Sequence, residues 1–154
     1  MRVNPMKKHR KPNGWIFDQC LPLCCVSPSS VLLHRGVLDR IGVFDPHLPA
    51  CEDYDLWLRI FSVYPVLLVD QPLLTKYGGH DDQLSRRYWG MDRFRAHALI
   101  KLLESGSLDN GQAQNARTML LKKLTILMNG AKKRGKFDDH ETWRLLYEHW
   151  EPIS

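Results

Sequence analysis

No run of apolar residues in this 154-residue chain approaches the roughly 20 that a helix needs to cross a bilayer. The longest candidate, from Pro65 to Leu74, is broken by Asp70, Gln71 and Pro72. The basic start is followed by no apolar segment, so a secretory signal is not expected. A cytoplasmic setting is expected instead, at most peripheral to the inner face of a membrane, and with it reduced thiols. Internal repeats and low-complexity tracts are lacking. So is any glycine-rich strand-to-helix turn of the kind that cradles a phosphate.

Acidic residues are missing from positions 1–14, which hold Arg2, Lys7, Lys8, Arg10 and Lys11. That leader accounts for the whole net charge of +5, because the remaining 17 basic and 17 acidic residues cancel. A nucleic-acid surface needs a basic stripe across a fold, and a short basic tail does not provide one, so no nucleic-acid partner is expected. Contact with anionic lipid head groups is the alternative use of such a tail.

Paired C-x2-C spacing is also missing. Cys20, Cys24, Cys25 and Cys51 include two adjacent residues that could not readily share a tetrahedral metal, and all four sit among apolar neighbours as small buried hydrophobes do. A structural zinc site is therefore not expected.

What is present is 44% hydrophobic and 25% charged, ordinary for one globular domain with a modest core. Lys11-Pro12-Asn13-Gly14 marks a turn after the leader. Ser30 to His34, Val66 to Val69 and Leu73 to Tyr77 read as short strands. Val37 to Ile41 reads as a short helix ended by Gly42, and Cys51 to Val63 as a longer one stopped by Pro65. From Tyr88 the pattern is helical. Phe94, Ala98, Leu99 and Leu102 make one stripe, and Ala116, Leu120, Leu124 and Leu127 the next. A last helix from Asp139 to Trp150 carries Trp143, Leu146 and Trp150. The expected fold class is α/β, mixed α+β in this portion: a half-domain with few strands, then a helical region. The expected divisions are a leader at 1–14, a half-domain at 15–88 and helices at 89–154.

The chemistry concentrates in two segments. Ile41-Gly42-Val43-Phe44-Asp45 is followed, after a short spacer, by Glu52-Asp53-Tyr54-Asp55-Leu56-Trp57-Leu58-Arg59. Three acids crowd the first turn of the longer helix, where the helix dipole favours negative charge. On pattern alone they read either as helix-capping groups or as a carboxylate projected into a cleft. Asp55 and Arg59, four apart, suit a supporting ion pair.

The G-x-F-D turn followed by E-D-x-D-L-x-x-R resembles the signature in the C-terminal half of family 2 glycosyltransferases. The resemblance runs through Ser29 to Leu32, Arg35, Tyr64-Pro65-Val66, Gln71-Pro72-Leu73, Lys76 to His80 and Gln83-Leu84-Ser85, covering about residues 15–100. It implies a GT-A-type fold and inverting sugar transfer from a nucleotide-diphosphate sugar to a glycan or lipid-linked acceptor, as in bacterial polysaccharide assembly. Asp53 would be the general base, taking the acceptor hydroxyl proton, and Glu52 would contact the acceptor.

The same resemblance places His80 at the donor diphosphate or a divalent metal, against the alternative of a plain loop histidine. Trp89, with Tyr88, would stack on an acceptor sugar or pack the C-terminal helices. Magnesium or manganese is implied for the complete enzyme, with none bound by this chain alone. The nucleotide-binding portion with its Asp-x-Asp motif is not among these residues. Isolated, the chain is expected to be inactive, and to self-associate or depend on a partner chain. The competing expectation is a non-catalytic interaction module derived from such an enzyme.

Overall fold

The computed structural model describes residues 11–75, 88 and 90–151. Along the chain come α1 (Phe17–Cys20), a 3-10 turn (Pro28–Ser30), α2 (Arg35–Ile41), α3 (Glu52–Phe61), α4 (Asp92–Glu104), α5 (Asn110–Lys133) and α6 (Phe137–Trp150).

The expected α/β class is overturned, because the architecture is all helical and no strand forms among the described residues. The reason lies in what a strand requires. A strand is held by a ladder to a neighbour, and among the described residues only one antiparallel bridge forms, between Gly14 and Val66, through hydrogen bonds of 2.7 and 2.8 Å. Val31 has extended backbone (φ −115°, ψ 133°), and Leu32 beside it is fully exposed. The Val66–Val69 run keeps a period of two, with Val66 and Leu68 half-covered and Leu67 and Val69 turned to solvent. Residues 73–75 form no strand either, and the end of that expected strand, Lys76 and Tyr77, lies outside the described residues. Apolar content therefore favoured extended backbone, but among the described residues only the Gly14–Val66 bridge and a bond from Leu68 N to the Asn13 side chain (2.7 Å) lie alongside it, too little for a ladder.

The helices follow their apolar stripes. In α5, Ala116, Leu120, Leu124, Leu127 and Ala131 recur every three or four residues and are all buried. Asp109 caps this helix through a reciprocal box: its carboxylate accepts from Gln112 N at 2.8 Å, while the Gln112 side chain accepts from Asp109 N at 3.2 Å. The helix runs through Gly130, and the chain turns back at Gly135 (φ 67°), where left-handed backbone suits glycine. In α6, Trp143, Leu146, Tyr147 and Trp150 are half-buried against the core.

The core joins α1, α3, α4 and α5 through Ile16, Phe17, Tyr54, Trp57, Leu58, Phe61, Leu99, Leu102, Leu120 and Leu124. Burying each large apolar side chain is worth about 1.5–3 kcal/mol relative to exposure, so this shared core fixes α3 in place. No helix among the described residues is long and apolar enough to cross a membrane.

The thiols also depart from expectation. Cys20 and Cys25 are joined in a disulfide, while Cys24 and Cys51 are free. The chain doubles back after α1, bringing the Cα atoms of the pair to 5.5 Å.

Candidate functional site

The acid-rich segment forms the first turn of α3. Cys51 precedes it in left-handed backbone (φ 62°), unusual for a residue with a side chain and costly unless its surroundings hold it. Burial of Cys51 supplies that hold, and its thiol lies 3.8 Å from the Met91 carbonyl just before α4. Burial also pushes the Cys51 thiol up to about 11.

From this start the four polar residues of the motif divide into two pairs. Asp55 faces inward and is 2% exposed. Its carboxylate accepts from Arg59 Nε at 3.1 Å and Nη2 at 2.8 Å, and pairs with Lys101 Nζ of α4 at 2.6 Å. Arg59 then reaches the loop after α2, donating to the carbonyls of Ile41 at 2.7 Å and Val43 at 2.8 Å. Lys101 spans from Asp55 to Asp45 Oδ2, 2.7 Å away. The hydrogen bond from Lys101, helped by one from His47 N to the other carboxylate oxygen, holds Asp45 below the usual carboxylate range. Gly42 (φ 90°) permits this turn, and a Cβ there would stand 3.5 Å from the Arg59 guanidinium. Gly42, Asp45, Asp55 and Arg59 thus form one brace, with Lys101 at its centre.

Glu52 and Asp53 are left half-exposed at the helix start. Asp53 Oδ1 accepts from Tyr54 N, the next residue, at 2.7 Å. Its Oδ2 lies 3.3 Å from the Cys24 thiol, whose single proton is shared with the Val26 carbonyl at 3.1 Å. Burial, and then the negative charge of Asp53, push that thiol up to about 12, so Cys24 is a neutral donor at physiological pH.

The Cys20–Cys25 loop that carries Cys24 is laced to α3. Tyr54 donates its hydroxyl to the Leu21 carbonyl at 2.6 Å, and Trp57 Nε1 donates to Val26 at 3.0 Å. Buried Lys123 of α5 adds a tie, donating to the Pro22 carbonyl at 2.9 Å and to Asp92 at 3.0 Å. Burial acts to raise Asp92, but the hydrogen bonds from Lys123 and Arg95 outweigh it and hold the carboxyl low.

The structure therefore brings Glu52, Asp53, Asp55 and Arg59 to one helix and separates their surroundings. His80 and Trp89 lie outside the described residues, and the neighbouring Tyr88 packs its ring edge-to-face on Phe94, centroids 5.7 Å apart. Among the described residues, no three His, Cys, Asp or Glu side chains gather to hold a metal. Sequence reasoning missed Cys24, Lys101 and Lys123. Each is remote in the chain from its partner, and a lone thiol or helix lysine carries no local signal.

The similarity found among curated proteins is to glycosyltransferases. Proteins of Rickettsia conorii and Rickettsia felis, each named an uncharacterized glycosyltransferase, are 36% identical to the chain over 58 residues. A third of that name from Rickettsia bellii is 34% identical over the same length. The matched stretch is 38% of this chain and 9%, 10% and 8% of the respective relatives, so the chain spans about a tenth of their length. No protein-family model matches the chain, and no solved structure matches significantly.

Proposed function

We propose that this chain is the acceptor-side portion of a family 2 glycosyltransferase, with Asp53 as its general base. The observation that carries the reading is the division of the motif: Asp55 and Arg59 are consumed by a buried brace, while Asp53 stays half-exposed on a helix start locked to the core. The glycosyltransferase names of the similar proteins support the reaction class.

In an inverting transfer the acceptor hydroxyl oxygen attacks the anomeric carbon of a nucleotide-diphosphate sugar. The bond from that carbon to the diphosphate breaks, and the electron pair leaves with it. Asp53 takes the hydroxyl proton as the new bond forms, a contribution of about 10²–10⁴-fold for a positioned base. Among the described residues its Oδ2 is engaged only by a thiol, a weak donor, so an acceptor hydroxyl competes for that oxygen. In this reading Glu52, one residue before, binds another hydroxyl of the acceptor. The roles proposed for His80 (donor diphosphate) and Trp89 (acceptor stacking) rest on the motif order alone.

A divalent cation, magnesium or manganese, belongs to the expectation for the complete enzyme. The described residues do not fit one, since no three ligating side chains converge, and no step here runs through it. Nucleotide recognition likewise needs residues beyond those described here.

The test is to co-express the chain with the remaining length of one of the similar proteins and assay transfer from nucleotide sugars. Transfer that drops at least about a hundredfold in Asp53→Asn, with the Asp55–Arg59 brace intact, is the expected result. Full activity in Asp53→Asn would remove Asp53 as the base.

A second reading, a non-catalytic interaction module, is favoured by the exposure of Leu32, Leu67, Val69 and Leu73 on segments that form no ladder among the described residues. Stable monomeric folding with no response to nucleotide sugars in the co-expressed assembly would place that reading first.

A further inference from the structure

Three of the four cysteines gather on the segment that leads from α1 to the 3-10 turn. Cys20 ends α1 and is 1% exposed, while its disulfide partner Cys25 is half-exposed. The free thiol of Cys24 belongs to the loop that this cystine closes, and it is the donor on Asp53 Oδ2.

Among the described residues, no backbone-to-backbone hydrogen bond involves residues 21–26. Side chains hold the two ends of the segment instead. Tyr54 and Lys123 donate to the carbonyls of Leu21 and Pro22, at 2.6 and 2.9 Å, and Trp57 donates to that of Val26 at 3.0 Å. The middle is held less. Leu23 is 57% exposed, and the Cys25 carbonyl receives a long contact of 3.4 Å from exposed Lys11. Cys24 is therefore fixed by the cystine bond and by its own proton, shared between Val26 and Asp53.

The relative size of two effects decides what opening that bond does. A thiol is a weak donor, and its hydrogen bond has a small net worth. The backbone entropy that even one residue regains is as large or larger. Without the covalent tie, the shared proton does not keep Cys24 against Asp53. With the tie in place, the loop is also safe from its own free thiol. Burial and the charge of Asp53 keep Cys24 protonated at physiological pH, and exchange requires a thiolate.

We propose that the Cys20–Cys25 cystine is a redox latch on the start of α3. Closed, it holds the Cys24 thiol on Asp53; opened by a dithiol reductant, it withdraws that thiol and frees the carboxylate oxygen. One reductant thiol loses its proton and attacks the Cys25 sulfur, the more accessible end. A mixed disulfide forms, and Cys20 leaves as a thiolate that takes up a proton. The second reductant thiol then attacks its partner sulfur, and Cys25 leaves and is protonated in turn. Two electrons and two protons have passed to the cystine, and the dithiol ends as a disulfide. Control of transfer through this latch rests on Asp53 being the base; the movement of the loop does not.

The test compares the full chain before and after treatment with dithiothreitol. Titration of the denatured chain should count two free thiols before reduction, Cys24 and Cys51, and all four cysteines after it. Alkylation of Cys24 by iodoacetamide at pH 8, mapped by peptide mass spectrometry, should be about tenfold faster after reduction, with unchanged helical circular dichroism. Cys20→Ala combined with Cys25→Ser should behave as the reduced chain without reductant, and the treated wild type decides the matter if that variant does not fold. In the co-expressed assembly, reductant should lower the acceptor KM about two- to fivefold in wild type and not in Cys24→Ala, the worth of one weak hydrogen bond. Four free thiols before reduction, equal alkylation rates in both states, or faster alkylation with loss of helix overturns the latch. Faster alkylation with transfer indifferent to reductant overturns its control of the site. Full activity in Asp53→Asn removes the base instead, and leaves the loop movement standing.

Discussion

The Cys24 thiol lies 3.3 Å from Asp53 Oδ2, so the proposed base is held by a residue 29 positions earlier in the chain. The contact depends on the Cys20–Cys25 loop, which Tyr54 and Trp57 hold against α3. The base, its donor and the loop that carries the donor thus belong to one packed unit.

Two of the three acids of α3, Asp53 and Asp55, predict opposite mutational outcomes. Asp53→Asn keeps its shape and is half-exposed, so a stability change within about 0.5 kcal/mol is expected, together with the loss of transfer described above. Asp55→Asn removes the carboxylate that Arg59 and Lys101 share and is expected to cost about 2–3 kcal/mol. Lys101 is 42% exposed, and water recovers part of what it loses. Urea unfolding of both variants checks the contrast, and equal midpoints would refute the brace.

The thiol of Cys24 predicts a pH dependence. Its folded value is raised to about 12 against the ordinary 9, so the folded state holds its proton where the unfolded chain releases one. The resulting stability is fully present below about pH 9 and declines as pH rises toward 12. Alkylation by iodoacetamide at pH 8 should be much slower than for the unfolded chain. Asp53→Asn removes one of the two largest causes and should speed it, leaving the effect of burial.

Gly42 predicts a backbone effect. With φ 90° and ψ −179° it occupies a region essentially reserved for glycine, and Gly42→Ala is expected to cost about 1–3 kcal/mol. Thermal unfolding measures this, and an unchanged melting temperature would mean the turn relaxes freely.

The unpaired extended segment predicts association. Leu67 is 85% exposed and Val69 57% exposed on backbone whose one bridge among the described residues is at Val66. Concentration-dependent self-association is expected by sedimentation velocity, and Leu67→Lys should suppress it without altering the helical core. A wild-type chain that stays monomeric across the range would count against this.

The sequence by itself determined the longer helices and the motif. The apolar spacing of Ala116, Leu120, Leu124 and Leu127 requires a helix because only that period places them on one face. The acids at the start of α3 are legible for a similar reason, since the helix dipole favours charge of that sign there. Only the tertiary structure decided the rest. Whether Val66–Val69 becomes a strand depends on a neighbour to pair with, which local apolarity cannot supply. Which acid stays accessible depends on Lys101, 46 residues beyond Asp55, and on Cys24, 29 residues before Asp53. Such contacts are set by how α1, α3 and α4 pack around a shared core, and sequence spacing does not encode distances across that core.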